Sequence, residues 1–381
     1  MKVLCLVCDH AGHLDFGGNG FLTLAQSLIN RGHTVHWLSP EANAKRLKAK
    51  GFKAAASKDA GNLFLIPMLS AARVKQQQRD FKTKLNAISA LINTAKKYDL
   101  IICDRLLAFG PVLANKVKKP IVVIGAPATH FQLTPQFPIE VAQPVEDYLD
   151  VGKLFAKQLN CKNNTAGSFW AQSVDLNICF TSKNFYQFAN HQRSAFIHHF
   201  ESNNEMAKKS QQIIGFSFGN TGEPANLLQL IVAFSAQADP GIKIQVYAGR
   251  DSSLLSAAQQ QLPSDVEVFG WIDFRKTFKT LSALVCYGGI GTLWEAANCA
   301  IPVATLPNIG DQLINSLAVE RLQLGYMLDI KNITSNENMR KLNDLVTNPL
   351  FQANSMGYKA ASNFSDDFSS ACAKIEKISA C

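Results

Sequence analysis

At 381 residues the chain is long enough for two domains, and with 47% hydrophobic against 18% charged residues it can bury full cores and is not a disordered chain. No apolar run approaches the ~20 residues of a membrane-spanning helix, and the start, MKVLCLVCDH, lacks the cleavage site of a signal peptide. The net charge of +9 is uneven: residues 41–120 hold 17 Lys or Arg against five acids, a local +12. That suits either a solvated face or attraction to an anionic membrane or acidic substrate. No aromatic-basic motif points to nucleic acid.

In chain order, apolar runs rich in strand formers occur at residues 2–8 (KVLCLVC), 34–40 (TVHWLSP), 99–104 (DLIICD), 120–127 (PIVVIGAP) and 176–181 (LNICFT). Helical patterns lie between them, such as residues 20–32, which close on Gly32. Strands alternating with helices predict a parallel sheet covered on both faces. The nine cysteines are odd in number and spread along the chain. Cys5 and Cys8 fall within the first predicted strand, where side chains three apart face opposite ways and cannot share a metal. The cysteines therefore read as buried free thiols, and the compartment as reducing and cytoplasmic. Residues 128–170 are irregular and aromatic-rich, as binding loops often are. A polar segment, 190–211, reads as a linker with a flanking helix.

The pattern then restarts with strands predicted at 212–219, 242–249, 266–272, 283–289 and 302–307. Two α/β domains in tandem follow, each carrying its site at the carboxyl ends of its strands, with a substrate in the cleft between them. Between the fourth of these strands and the next helix stands Cys286-Tyr287-Gly288-Gly289-Ile290-Gly291-Thr292-Leu293-Trp294-Glu295. The turn glycines permit positive φ and close backbone approach, and the N–H groups of a helix start expected near Thr292 offer an anion site suited to a diphosphate. A plain tight turn is the competing reading. No Lys follows the glycines, so the phosphate loop of ATPases does not fit. Glu295 stands one turn into the helix, in reach of ribose hydroxyls. Asp311 and Gln312 follow the next strand and pair a carboxylate with an amide, which suits a hydroxyl-rich ligand. Trp271 lies at a strand end, either to stack on a base or as a core ring.

From VFGWIDF (268–274) through LGYML (324–328) the sequence resembles family 1 glycosyltransferases of the GT-B fold, including bacterial macrolide-type enzymes and plant and animal UDP-glycosyltransferases. The spacing from the glycine turn to Glu295, Asp311 and Gln312 matches without a gap. The N-terminal DHAGH (9–13), the region 99–127 and GFSFGNTGE (215–223) are similar too, and the resemblance is weak only over 128–208.

The resemblance implies two Rossmann-like domains facing across a cleft: an acceptor domain over 1–208, a nucleotide-sugar domain over 209–355, and a C-terminal helix, 356–381, returning to the first. It implies inverting, metal-independent transfer of a hexose, by default from UDP-glucose, to an acceptor hydroxyl, with no cofactor beyond the nucleotide-sugar co-substrate. His13 would take the acceptor proton, with His10 a lesser candidate, and Asp104 would hold the imidazole. Trp271 would stack on the base and Glu295 bind the ribose. Asn220, Tyr287, Gly288, Gly289, Gly291 and Thr292 would surround the diphosphate, and Asp311 and Gln312 the sugar. Three departures stand out. Tyr287 occupies a position where the family usually has His. Four residues around Gly17–Gly20 lengthen the segment after His13. The family's Trp-x-Pro-Gln reads Trp271-Ile272-Asp273-Phe274. A silent nucleotide-sugar binder and a sugar-nucleotide epimerase are the competing expectations. The acceptor reads as lipophilic and reached at a membrane face, from the basic first domain and LFLIPML (63–69); a soluble polyketide or phenol competes with it.

Overall fold

The computed structural model describes residues 1–8, 14, 16–57, 81–104, 107, 109–125, 155–161, 174–185, 193–197, 211–219, 224–249, 251–308, 310–362 and 367–380. By its contacts the chain forms two compact units, Met1–His198 joined by Ser365–Cys381, and His199–Phe364. The first division thus falls ten residues before the expected 208, and the chain returns to the first unit later than the expected 356.

The first unit runs β1 (Lys2–Leu6), α1 (Phe16–Asn30), β2 (Thr34–Ser39), α2 (Glu41–Ala49), β3 (Lys53–Ala56), α3 (Phe81–Ala95), β4 (Leu100–Asp104), α4 (Gly110–Val117), β5 (Ile121–Ile124), β6 (Leu176–Cys179) and β7 (Ser194–Phe196). Its sheet has the order β3-β2-β1-β4-β5-β6-β7, with every pair parallel. Strands β4, β5 and β6 are buried along their whole length. This explains their unbroken apolar runs, because helices cover both faces. On one face Leu4, Leu6, Ile101, Cys103 and Val123 share a core with Ile88 and Leu91 of α3 and Leu113 of α4. The order of the chain reverses between β1 and β4, which opens a crevice at their carboxyl ends.

The second unit runs β8 (Gln212–Ser217), α5 (Pro224–Ser235), β9 (Ile242–Tyr247), α6 (Ser252–Gln261), β10 (Glu267–Phe269), α7 (Phe274–Thr277), β11 (Ala283–Cys286), α8 (Ile290–Asn298), β12 (Val303–Thr305), α9 (Gly310–Arg321), β13 (Gly325–Met327), α10 (Asn336–Thr347) and α11 (Pro349–Ser362). Its parallel sheet, β10-β9-β8-β11-β12-β13, reverses between β8 and β11. Ile214, Phe216, Val246 and Val285 pack against Leu230, Phe234 and Leu342.

The last helix, α12 (Phe368–Ser379), packs on α1 and β6 of the first unit. Asp367 caps it through Ser370 N at 2.6 Å. Glu376 accepts two bonds from Arg31, Nε at 2.8 Å and Nη2 at 2.6 Å, and lies 2.7 Å from His33 Nε2. Hydrogen bonds from Arg31 and then His33 hold its carboxyl at about 2.

Several expectations need correction. β1 stops at Leu6, so Cys8 lies beyond the strand rather than in it. β3, β7 and β13 escaped the sequence reading, and β7 falls inside the segment expected to be a linker and helix. β3 is the tetrapeptide Lys-Ala-Ala-Ala at a sheet edge and lacks the branched residues that mark strands. The eight cysteines among the described residues are free and buried. Among those residues no helix is long and apolar enough to cross a membrane.

Candidate active site

The carboxyl end of β11 leads into the glycine turn. The helix expected near Thr292 starts at Ile290, so Gly289 is its N-cap and Gly291 lies in its first turn. Gly289 has no side chain with which to cap this start. Thr292 N and Leu293 N bond back to Gly289 O, both at 3.1 Å, and the N–H groups ahead of them point out of the helix end.

The three glycines do different jobs. Gly288 has φ +84°, and a Cβ there would stand 3.0 Å from both Gln312 O and Ser316 Oγ. Its lack of a side chain lets α9 press against the turn. A Cβ on Gly289 or Gly291 would meet nothing within 4 Å. Those two residues border open space, at the helix end whose partial positive charge favours an anion.

Helix α9 bolts the turn in place. Asn315 Nδ2 donates to Gly288 O at 2.9 Å, and Ser316 Oγ to Gln312 O at 2.7 Å. Gln312 is 1% exposed, and its Oε1 accepts from Asn308 N at 2.9 Å. Its amide carbonyl therefore shapes the turn ahead of α9, a positional task the sequence reading did not foresee. Asn315 and Ser316 follow Gln312 by three and four residues, a helical spacing that places all three on one face.

Tyr287 is 3% exposed and belongs to the core of the second unit. Its ring packs beneath the turn. The residue follows the end of β11, and its ring lies on the sheet face that α10 covers.

Trp271, two residues beyond β10, is 59% exposed, so it is not a core ring. Asp273, in place of the family's Pro, accepts from Arg275 N at 3.1 Å and caps α7. The short helix turns Arg275 toward α8, where its Nε stands 3.6 Å from Oε2 of the buried Glu295. Arg275 went unnoticed in the sequence because only the fold of α7 sets it beside Glu295.

In the first unit Asp104 ends β4 and is wholly buried. The Cys8 thiol donates to its Oδ2 at 3.1 Å, and its own backbone O accepts from Leu107 N at 3.0 Å. His13, His10 and Asn220 lie outside the described residues, as does the side chain of Asp311, whose backbone is in α9. Among the described residues no group of three His, Cys, Asp or Glu could hold a metal ion.

Two parallel sheets, each reversing at its centre, are the frame of a GT-B glycosyltransferase. A crystal structure of the glycotransferase of kitacinnamycin superposes with a TM-score of 0.74 over 99% of this chain and 98% of that one, at 17% identity. The spinosyn rhamnosyltransferase SpnG complexed with thymidine diphosphate does so at 0.72 over 99% and 100%, at 15% identity. Residues 260–363, which hold the glycine turn, match the family described as UDP-glucoronosyl and UDP-glucosyl transferase. Over 353 residues the chain is 22% identical to the NDP-glycosyltransferase YjiC of Bacillus licheniformis, covering 85% of this chain and 84% of that protein. The chain is a glycosyltransferase of the GT-B fold, similar in sequence to nucleotide-sugar transferases of the family 1 type.

Proposed function

We propose that the chain transfers a hexose, with inversion and without a metal, from a nucleotide diphosphate sugar to a hydroxyl of a small lipophilic acceptor. The observation that carries this is the start of α8, whose N-cap is a glycine, held rigid by α9 and bordered by open space at Gly289 and Gly291. Negative charge builds on the diphosphate as the sugar leaves. Fixed N–H groups aimed at that charge stabilise the transition state without reorganising, the task that a cation performs in other transferases.

On this reading Trp271 stacks on the base, and Glu295, braced by Arg275, binds the ribose. Thr292 and Asn220 flank the phosphates, while Asp311 and Gln312 meet the sugar. The Tyr287 ring supports the turn from below. His13 takes the acceptor proton and Asp104 stabilises the imidazolium that results. UDP-glucose is the default donor, and TDP-sugars compete with it because SpnG binds thymidine diphosphate. Calorimetry with UDP-glucose and TDP-glucose, followed by acceptor screening with mass detection, tests the assignment. A protein that binds neither nucleotide refutes it.

The basic stretch bears on the acceptor. Lys48, Lys50, Lys53, Lys96, Lys97 and Lys118 are exposed and gather where helices end and strands begin. Part of this is expected, since helix C-termini favour cations. The edge is the opposite one from that bearing Asp104. We propose that it holds the unit against an anionic membrane, while the acceptor arrives by another route. Equal partitioning onto neutral and anionic liposomes overturns this. The apolar LFLIPML lies outside the described residues.

A further inference from the structure

Cys8 is held at both ends. Its backbone O accepts from Asn43 Nδ2 at 2.7 Å, and its thiol donates to Asp104 Oδ2 at 3.1 Å. All three residues are buried: Cys8 and Asp104 are 0% exposed and Asn43 is 1% exposed. They come from three places, the segment just beyond β1, helix α2 and the end of β4, and they meet at the crevice where the sheet reverses.

Asn43 is an amide inside an otherwise apolar helix face formed with Ala44 and Leu47. An amide in that position is expensive to bury unless it is bonded. Its bond to Cys8 O fixes the point from which the chain leaves β1 towards His13, five residues on. The thiol then fixes the rotation of the Asp104 carboxylate. Its donation orients the carboxylate and, in this buried site, takes up part of its negative charge.

We infer that Cys8, anchored by Asn43, is a positioning residue for the Asp104 carboxylate in glycosyl transfer. The inference rests on the reading of Asp104 as partner of the His13 base. A donor on Asp104 Oδ2 tempers the carboxylate's pull on the imidazolium. Without it, the imidazolium is favoured and the neutral base appears only at higher pH.

The test reads turnover with UDP-glucose and 4-nitrophenol, together with the infrared S–H stretch, which needs no turnover. Cys8→Ala is expected to lower kcat about tenfold with the KM for UDP-glucose unchanged, and to move the acidic limb of the pH profile to higher pH. Cys8→Ser, which keeps a donor, restores both. The Cys8 band, isolated by subtracting the Cys8→Ala spectrum, is expected to rise in frequency in Asp104→Asn, where the acceptor is weaker. An unmoved band overturns the inference. So does a kcat loss that Ser does not rescue, or one that leaves the pH profile in place. If instead His13→Ala and Asp104→Asn both turn over normally while the band does shift, the bond is real and the His13–Asp104 reading is what fails.

Discussion

Arg275 Nε lies 3.6 Å from Glu295 Oε2, so the carboxylate expected to read the ribose is already braced by a cation from the neighbouring helix. Arg275 is nearly half exposed while Glu295 is buried. If Glu295 reads the ribose as proposed, the arginine acts by orienting it. Glu295→Ala is expected to weaken UDP binding on the order of tenfold or more, the loss of one or two hydrogen bonds worth about 1–3 kcal/mol. Arg275→Ala should weaken it by about threefold to tenfold, and the double variant should bind no worse than Glu295→Ala alone. Calorimetric titration of the four proteins with UDP checks this. Additive losses would mean that Arg275 touches the nucleotide by itself.

Two glycines in one turn separate folding from binding. Gly288→Ala forces a Cβ against Gln312 and Ser316 at a positive φ, and should lower stability by about 2 kcal/mol. Gly291→Ala meets nothing and replaces a poor helix former, so the melting temperature should hold or rise. The new methyl enters the space assigned to the diphosphate, so donor KM should rise on the order of tenfold. Thermal melts beside donor titrations distinguish the two. A Gly291→Ala enzyme with wild-type donor KM would place the phosphates elsewhere.

The second unit is pinned by one buried amide. Asn338 Nδ2 donates to Asp329 O at 3.0 Å and Ile333 O at 3.0 Å, and its Oδ1 accepts from Asp329 N at 3.0 Å. The residue is 0% exposed. Asn338→Ala strands these backbone groups, each costing about 1–3 kcal/mol when left unsatisfied. A loss of about 3 kcal/mol or more in urea unfolding is expected, with activity at low temperature retained in whatever protein remains folded.

The docking of α12 should depend on acid. Glu376 is held at about 2, below its ordinary 4.5, by Arg31 and His33. A carboxyl lowered on folding contributes its full stability above 4.5 and loses it as pH falls through about 2. Wild type and Glu376→Gln should therefore differ in melting temperature above pH 4.5 and converge towards pH 2. A gap that persists at pH 2 would show that charge is not its source.

Much of this was readable beforehand, for identifiable reasons. Buried parallel strands such as Leu100–Asp104 announce themselves as apolar runs. The glycine turn declares itself because Gly288 has no substitute where α9 presses on it. The edge strand Lys53–Ala56 did not, since an edge can be built from alanine and its pairing lies in the backbone. The core packing of Tyr287 could not be read beforehand, since a strand end looks alike whether the ring that follows it faces a ligand or the core. The Cys8–Asp104 and Arg275–Glu295 pairs join residues that are distant in sequence, and only the folded sheet brings each together.

The return of α12 has a topological consequence. Residues 199–364 form the second unit as one unbroken segment, while the first unit is split around them, and Ser379 Oγ reaches Met1 Sδ at 3.2 Å. The second unit is thus an insert within its host. Exchanging it for another specificity takes two splice junctions, and the host's two ends stay stitched together by Arg31, His33 and Glu376 whichever insert is carried.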